Sequence, residues 1–265
     1  MLNRGLDKVE LLRIVEAVAN EKSIAWGIAK AAAEAGAELA FTYQAENLGR
    51  RVLPLAESVG SDIILQADVL DSVSLDQLFA TLEEKWGSFD FLVHAVAYSD
   101  KDELTGRFIN TTRKNFLNSL DISCYSLIDL AKRAAPLMNK GGTILTLTFQ
   151  GATSVMPNYN VMGVAKAALE SAVRYLANDL GTDGIRVNAI SPGPMRTLAG
   201  AAIGGARKTY RATEANAPLR SNATLDAVGG TAVYLASDAG AFTTGQIIFV
   251  DGGYHAIGMA QPENL

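Results

Sequence analysis

The chain is short of the residues that build metal centres, cross-links and polyanion-binding surfaces. Its 265 residues include one cysteine, Cys124, and two histidines, His94 and His255, which stand far apart. A single cysteine excludes an intramolecular disulfide framework, and the histidines have no metal-ligand spacing. Basic charge is scarce as well: 23 Lys+Arg face 28 Asp+Glu, a net charge of −5, with no Lys/Arg-rich run. Nucleic acid and anionic membranes are therefore not expected as partners. There is no stretch of about 18 uncharged apolar residues to span a membrane. Arg4, Asp7, Lys8 and Glu10 precede any long apolar run, unlike a secretory signal, so a reducing cytoplasm is the expected location.

What is present is a composition that is 49% hydrophobic and includes 24 glycines. Such a chain buries a substantial core, and glycine at strand-to-helix turns lets backbone approach a ligand. Short β-rich runs occur at Leu11–Val15, Glu38–Tyr43, Asp62–Gln66, Phe89–Val93, Thr143–Thr148, Ile185–Ile190 and Gln246–Val250. Helical apolar spacing fills several of the gaps: Ile24, Ile28, Ala31, Ala32 and Ala35 before Gly36, then Leu75, Leu78, Phe79 and Leu82 before Trp86-Gly87. Two longer helices are expected over Thr112–Met138 and Asn158–Leu180. With no repeat or linker between them, this alternation predicts one α/β domain over 1–265, a Rossmann-type doubly wound parallel sheet of about seven strands with helices on both faces. The stretch from Pro192 to about Ala217 breaks the rhythm, and Met195–Arg211 within it reads as a mobile lid at the ligand-binding edge.

Candidate chemistry gathers at strand ends. The turn from Ala17 to Ser23, followed by Ile24, stands where a dinucleotide fold presents N–H groups to pyrophosphate, although it is not G-x-G-x-x-G; Ser23 as a plain helix N-cap is the alternative. Gln44 ends the second strand, where NAD-binding folds place an acidic residue and NADP-binding folds a basic one. It can serve a free ribose hydroxyl but offers no charge to a 2′-phosphate, which favours NADH/NAD+. Asp68 and Val69 could bracket adenine, or Asp68 could be a capping residue. Tyr159 and Lys166 stand seven residues apart, nearly two helical turns, so both can address one small site. A phenol near an ammonium is stabilised toward ionisation and donates well to a developing oxyanion. Such pairs also occur on helices without function. Cys124 reads as a buried, inert thiol, His94 as a hydrogen-bonded structural residue and His255 as a surface or subunit-contact residue.

These pieces resemble the short-chain dehydrogenase/reductase superfamily, and within it the bacterial NADH-dependent enoyl-[acyl-carrier-protein] reductases. The resemblance runs from about Val18 to His255. It is carried by Ser23-Ile24-Ala25-Trp26-Gly27-Ile28-Ala29, Ala40-Phe41-Thr42-Tyr43-Gln44, the Pro157–Lys166 segment with its Tyr-x6-Lys spacing, Arg186–Ser191 and Gly193–Ala199. It implies that Lys166 holds the nicotinamide ribose and that Tyr159 donates to the thioester carbonyl. It further implies that Ala17, Ser23, Ile24 and Thr197 lie along the cofactor phosphates, that Gln44 serves the adenosine ribose, and that Asp68 and Val69 flank adenine. Phe149, Ala97, Met162, Pro194 and Ala199 would line the substrate pocket. An acyl carrier protein would present the substrate, and a homotetramer is expected in which Leu169, Val173 and Leu176 need a partner surface as well as a sheet. The chain departs from the pattern at Ala17 and Ala97, where the family has glycine, at Glu16, and at Phe149, where many members carry a second tyrosine. Two rivals remain at this stage: a carbonyl reductase of the same superfamily and a catalytically silent Rossmann binding module.

Overall fold

The computed structural model describes residues 12–15, 20–197, 200 and 204–264. Its strands are β1 (Leu12–Val15), β2 (Glu38–Tyr43), β3 (Ile63–Gln66), β4 (Phe89–His94), β5 (Met138–Leu147), β6 (Arg186–Pro192) and β7 (Ile247–Val250). All pair in parallel in one sheet of order β3-β2-β1-β4-β5-β6-β7. The helices are α1 (Ile24–Glu34), α2 (Glu46–Ser58), α3 (Ser72–Trp86), α4 (Arg113–Leu120), α5 (Ser126–Ala134), α6 (Asn160–Gly181), α7 (Ala206–Asn216) and α8 (Leu225–Ala236). The strand order reverses direction between β1 and β4, and that switch point opens a crevice at the C-terminal edge.

Strand side chains alternate between two apolar cores. Leu39, Phe41, Phe91, Val93 and Leu145 join α1, α2 and α8 on one face, while Ala40, Leu92 and Ile144 join α3, α5 and α6 on the other. Each fully buried Leu or Phe contributes about 1.5–3 kcal/mol, so burial on both faces fixes the register of the central strands. Helices α1 and α8 cross unusually closely. A Cβ on Gly229 would stand 2.6 Å from the Gly27 carbonyl oxygen, and one on Gly27 would stand 2.9 Å from Leu225 Cβ. That crossing accounts for the run of small residues in α1 and brings the start of α1 to the crevice.

Three expectations need correction. The helix expected over Thr112–Met138 is two helices joined by a π-turn, Asp121–Tyr125. Ser126 Oγ donates to the Ile122 carbonyl inside that turn, diverting an acceptor from the regular ladder. Pro136 sits in the short turn Ala135–Leu137 that follows α5, and Met138 is already extended and paired with Phe89. The second long helix begins at Asn160, leaving Asn158 and Tyr159 outside it. Leu169 and Val173 are fully buried against the sheet and need no partner surface. The exposed apolar residues nearby are Val164 and Tyr175 on α6, with Leu117, Tyr125 and Ile128 on the preceding helices. Helices α2, α7 and α8 had no counterpart in the sequence reading; α2 is punctuated by Gly49 and Pro54, and Tyr43 packs where a Cβ on Gly49 would be.

Candidate active site

A cavity of about 510 Å³ opens at the switch point. The turn after β4 (Ala95–Ser99), the end of β5 (Leu147, Thr148 and Phe149), the segment after β6 (Pro192–Met195) and the start of α1 all line it. Tyr159 and Lys166 both reach this cavity, though not as two residues of one helical face. Tyr159 caps α6 with non-helical φ −125° and ψ 14°, and its carbonyl accepts from Gly163 N at 2.9 Å. Its ring is buried, meets Phe149 edge-on at 5.1 Å and lies over Gly151, where a Cβ would stand 2.7 Å from Tyr159 Cε1. Burial pushes the Tyr159 phenol well above its ordinary range. Desolvation sets this direction, contrary to the expectation of an ionisation-prone phenol, and the group stays an O–H donor.

Lys166 is 5% exposed, and its Nζ donates to the Leu147 carbonyl at 2.8 Å. Burial lowers its pKa to about 8, against the opposing influence of Cys124 and Glu170. Glu170 was missed by the sequence reading. One turn beyond Lys166, it accepts a hydrogen bond from Thr148 Oγ1 at 2.7 Å, and burial raises its pKa while Thr148, Arg174 and Lys166 oppose the rise. No motif distinguishes it from a surface glutamate; only the packing of α6 on β5 reveals it.

His94 is a structural residue, as expected: Nδ1 bonds Thr146 Oγ1 at 2.7 Å and Nε2 bonds Ser126 Oγ at 2.8 Å. Burial, helped by the Lys166 charge, lowers its pKa to about 3, so it is neutral. Cys124 is buried in the π-turn, and desolvation raises its thiol against the pull of Lys166, which disfavours the thiolate that a nucleophile needs. His255 is partly exposed, stacked on Phe249 at 4.0 Å and paired through Nδ1 with Asp251 at 3.0 Å.

Ser23 is the N-cap of α1, its Oγ accepting from Trp26 N at 3.2 Å, and it also lines the cavity beside Ile24. The two readings of Ser23 are thus compatible. Ala97, Phe149, Met162, Pro194 and Thr197 line the same cavity, and Thr197 Oγ1 accepts from Gly200 N at 2.9 Å. Gln44, Asp68 and Val69 stand apart from that lining, at the ends of β2 and β3. There Gln44 Nε2 donates to Asp68 Oδ2 at 3.1 Å, while Asp68 Oδ1 accepts from Leu70 N at 2.9 Å. Ala17, Glu16 and Ala199 lie outside the described residues.

With this geometry in place, comparison with known proteins is direct. The family model for enoyl-(acyl carrier protein) reductase matches residues 18–255. Enoyl-[acyl-carrier-protein] reductase [NADH] 1 of Rhizobium meliloti is 56% identical over 93% of this chain and 90% of its own. The corresponding NADH enzyme of Rickettsia bellii is 54% identical over 92% and 94%. Among solved structures, the reductase from Anaplasma phagocytophilum in complex with NAD superposes with a TM-score of 0.92 at 54% identity, covering 95% of this chain and 96% of that one. A Bacillus cereus reductase solved with NADP+ and indole naphthyridinone gives 0.92 at 46% identity, over 94% and 98%. On fold and on sequence over nearly its whole length, the chain belongs to the enoyl-(acyl carrier protein) reductase family.

Proposed function

We propose that the protein reduces the trans-2 double bond of enoyl thioesters carried on acyl carrier protein, using NADH, in fatty acid synthesis. The observation that carries this reading is the convergence of a neutral phenol and a buried ammonium on one apolar cavity at the switch point of the sheet.

The cofactor fits the residues present. An ammonium has three donor hydrogens, and Lys166 Nζ has one acceptor among the described residues, so vicinal ribose hydroxyls would satisfy the rest. A relative with the same fold was solved with NADP+, so fold alone does not choose between the two cofactors. Here Gln44 is neutral and holds the Asp68 carboxylate beside it; a 2′-phosphate would meet negative charge, whereas a free hydroxyl finds an acceptor. Ser23, Ile24, Thr197 and, outside the described residues, Ala17 would follow the phosphates, with Asp68 and Val69 at adenine. NADH, when held there, would supply the hydride for C3 of the enoyl thioester. As charge flows through the conjugated system to the thioester oxygen, the Tyr159 O–H is positioned to donate to it, stabilising the enolate more than the ground state. Lys166 orients, while Ala97, Phe149, Met162 and Pro194 exclude water from the acyl chain; Ala199 would belong to the same wall. Uptake of one proton from solvent at C2 would complete the saturated product, leaving the cofactor oxidised.

The segment 195–211, of which 198, 199 and 201–203 lie outside the described residues, reads as a substrate lid, a reading supported by Met195, Thr197, Ala206 and Thr209 in the cavity wall. Exposed Leu117, Tyr125, Ile128 and Tyr175 support a homotetramer with α4, α5 and α6 at an interface. A cytoplasmic location agrees with the free Cys124, and no helix of the described residues is long and apolar enough to cross a membrane. The test is NADH oxidation with crotonyl and acetoacetyl thioesters. Tyr159→Phe should lower kcat on the crotonyl substrate by about 10²-fold, as loss of one oxyanion donor does. Turnover of the acetoacetyl substrate alone would identify a carbonyl reductase, and failure to bind NADH at all a silent module.

A further inference from the structure

Tyr159 is flanked in sequence by two asparagines, and each ties a different wall of the cavity to it. Asn158 is left-handed, with φ 59°, a conformation that asparagine tolerates better than most residues. Its Nδ2 donates to the Gly204 carbonyl at 2.6 Å. The next residue, Gly205, has φ 78° and starts α7, whose Ala206 and Thr209 line the cavity. Asn160, in the first turn of α6, points its Nδ2 at the carbonyls of Glu103 (3.0 Å), Thr105 (3.1 Å) and Gly106 (3.4 Å). That backbone carries Leu104, which is buried, lines the cavity and packs with Tyr159 and Met162. The two walls also meet each other, since a Cβ on Gly204 would stand 3.1 Å from Thr105 Cγ2. Neither asparagine lines the cavity itself.

We infer that Asn158 and Asn160 are positioning residues for the reduction, each bonding one cavity wall to the backbone beside Tyr159 so that acyl channel and phenol are set as one unit. The inference rests on the proposed role of Tyr159. Its physical basis is that Tyr159 is the N-cap of α6, with φ and ψ outside the helical range, so the aim of its ring depends on what holds the residues to either side. Both ties use an amide N–H as donor to a carbonyl. Aspartate keeps the size of asparagine but sets a carboxylate oxygen against that carbonyl, replacing attraction with repulsion. Glycine at 158 keeps the left-handed backbone and removes only the amide.

The experiment uses the full chain with Asn158→Gly, Asn158→Ala, Asn158→Asp and Asn160→Asp, with Asn160→Ala in reserve should the aspartate fail to fold. Hydrogen exchange reads the ties directly. The amides of Lys208 and Thr209, bonded to Gly205, should exchange faster in the 158 variants, and the Leu104 amide faster in the 160 variants. Kinetics reads the consequence: kcat/KM for the enoyl thioester should fall at least about tenfold in Asn158→Gly, Asn158→Asp and Asn160→Asp, the size expected from sub-ångström misplacement, with NADH affinity unchanged. Full activity in Asn158→Gly with a loss confined to Asn158→Ala would mean that residue 158 serves backbone conformation alone, and the inference would fall. Faster exchange without loss of kcat/KM would also overturn it. If Tyr159→Phe proves fully active, the catalytic reading fails, while exchange still reports on the ties.

Discussion

Gly151→Ala tests how the phenol is held. Gly151 is not in the left-handed region, so its backbone accepts an alanine without strain and the variant reports on contact alone. The added Cβ would stand 2.7 Å from Tyr159 Cε1, about 0.7 Å inside the 3.4 Å at which ordinary contact begins. On its other side the turn packs against α6 at Gly163, where the Gly151 carbonyl lies 2.8 Å from where a Cβ would be. Phe149 closes another side of the ring at 5.1 Å. The ring itself must move, by a large fraction of an ångström. Displacements of about 1 Å can cost about 10²-fold, so a loss of tens-fold in kcat/KM, about 2 kcal/mol, is expected. The Lys166 anchor, on the Leu147 carbonyl, is untouched, and NADH affinity should hold. Steady-state kinetics with an enoyl thioester, a cofactor titration and a thermal melt suffice. A variant with wild-type kcat/KM and an unchanged melt would refute the claim that Gly151 fixes the aim of Tyr159.

Three further outcomes follow from the charges. Lys166→Ala should weaken NADH binding at least tenfold, about 1.4 kcal/mol. In the wild type without cofactor, burial lowers the Lys166 pKa to about 8, so between about pH 8 and the ordinary lysine range the unfolded chain holds a proton that the native one has released. This residue's contribution to stability therefore rises with pH across that window and is penalised below it; a stability–pH profile that Lys166→Ala leaves unaltered would contradict the assignment. Gln44→Arg should pair with Asp68, neutralise it and narrow the preference for NADH over NADPH by about tenfold or more, measured as a ratio of dissociation constants; an unmoved ratio would show that the 2′ position is read elsewhere.

The sequence by itself determined the sheet. Short apolar runs such as Phe89–Val93 and Ile185–Ile190 must be buried on both faces, and parallel pairing with right-handed crossovers then leaves little freedom of topology. The motif from Pro157 to Lys166 likewise marked the site, because a phenol and an amine at that spacing sit in a long matching segment. What the sequence could not determine was how Tyr159 is aimed. The spacing from Tyr159 to Lys166 reads as helix, yet Asn158 is left-handed, Tyr159 is a cap, and the two side chains are brought to one cavity by tertiary contacts with Gly151, Leu147 and the asparagine ties. The same holds for the π-turn hidden in Thr112–Met138 and for Glu170, whose carboxylate finds Thr148 only when α6 lies against β5. Even the direction of the Tyr159 pKa belonged to the folded state. Desolvation depends on every neighbour that excludes water, and those neighbours come from β5, α6 and the Leu104 wall, segments that sequence separation keeps apart until the chain is packed.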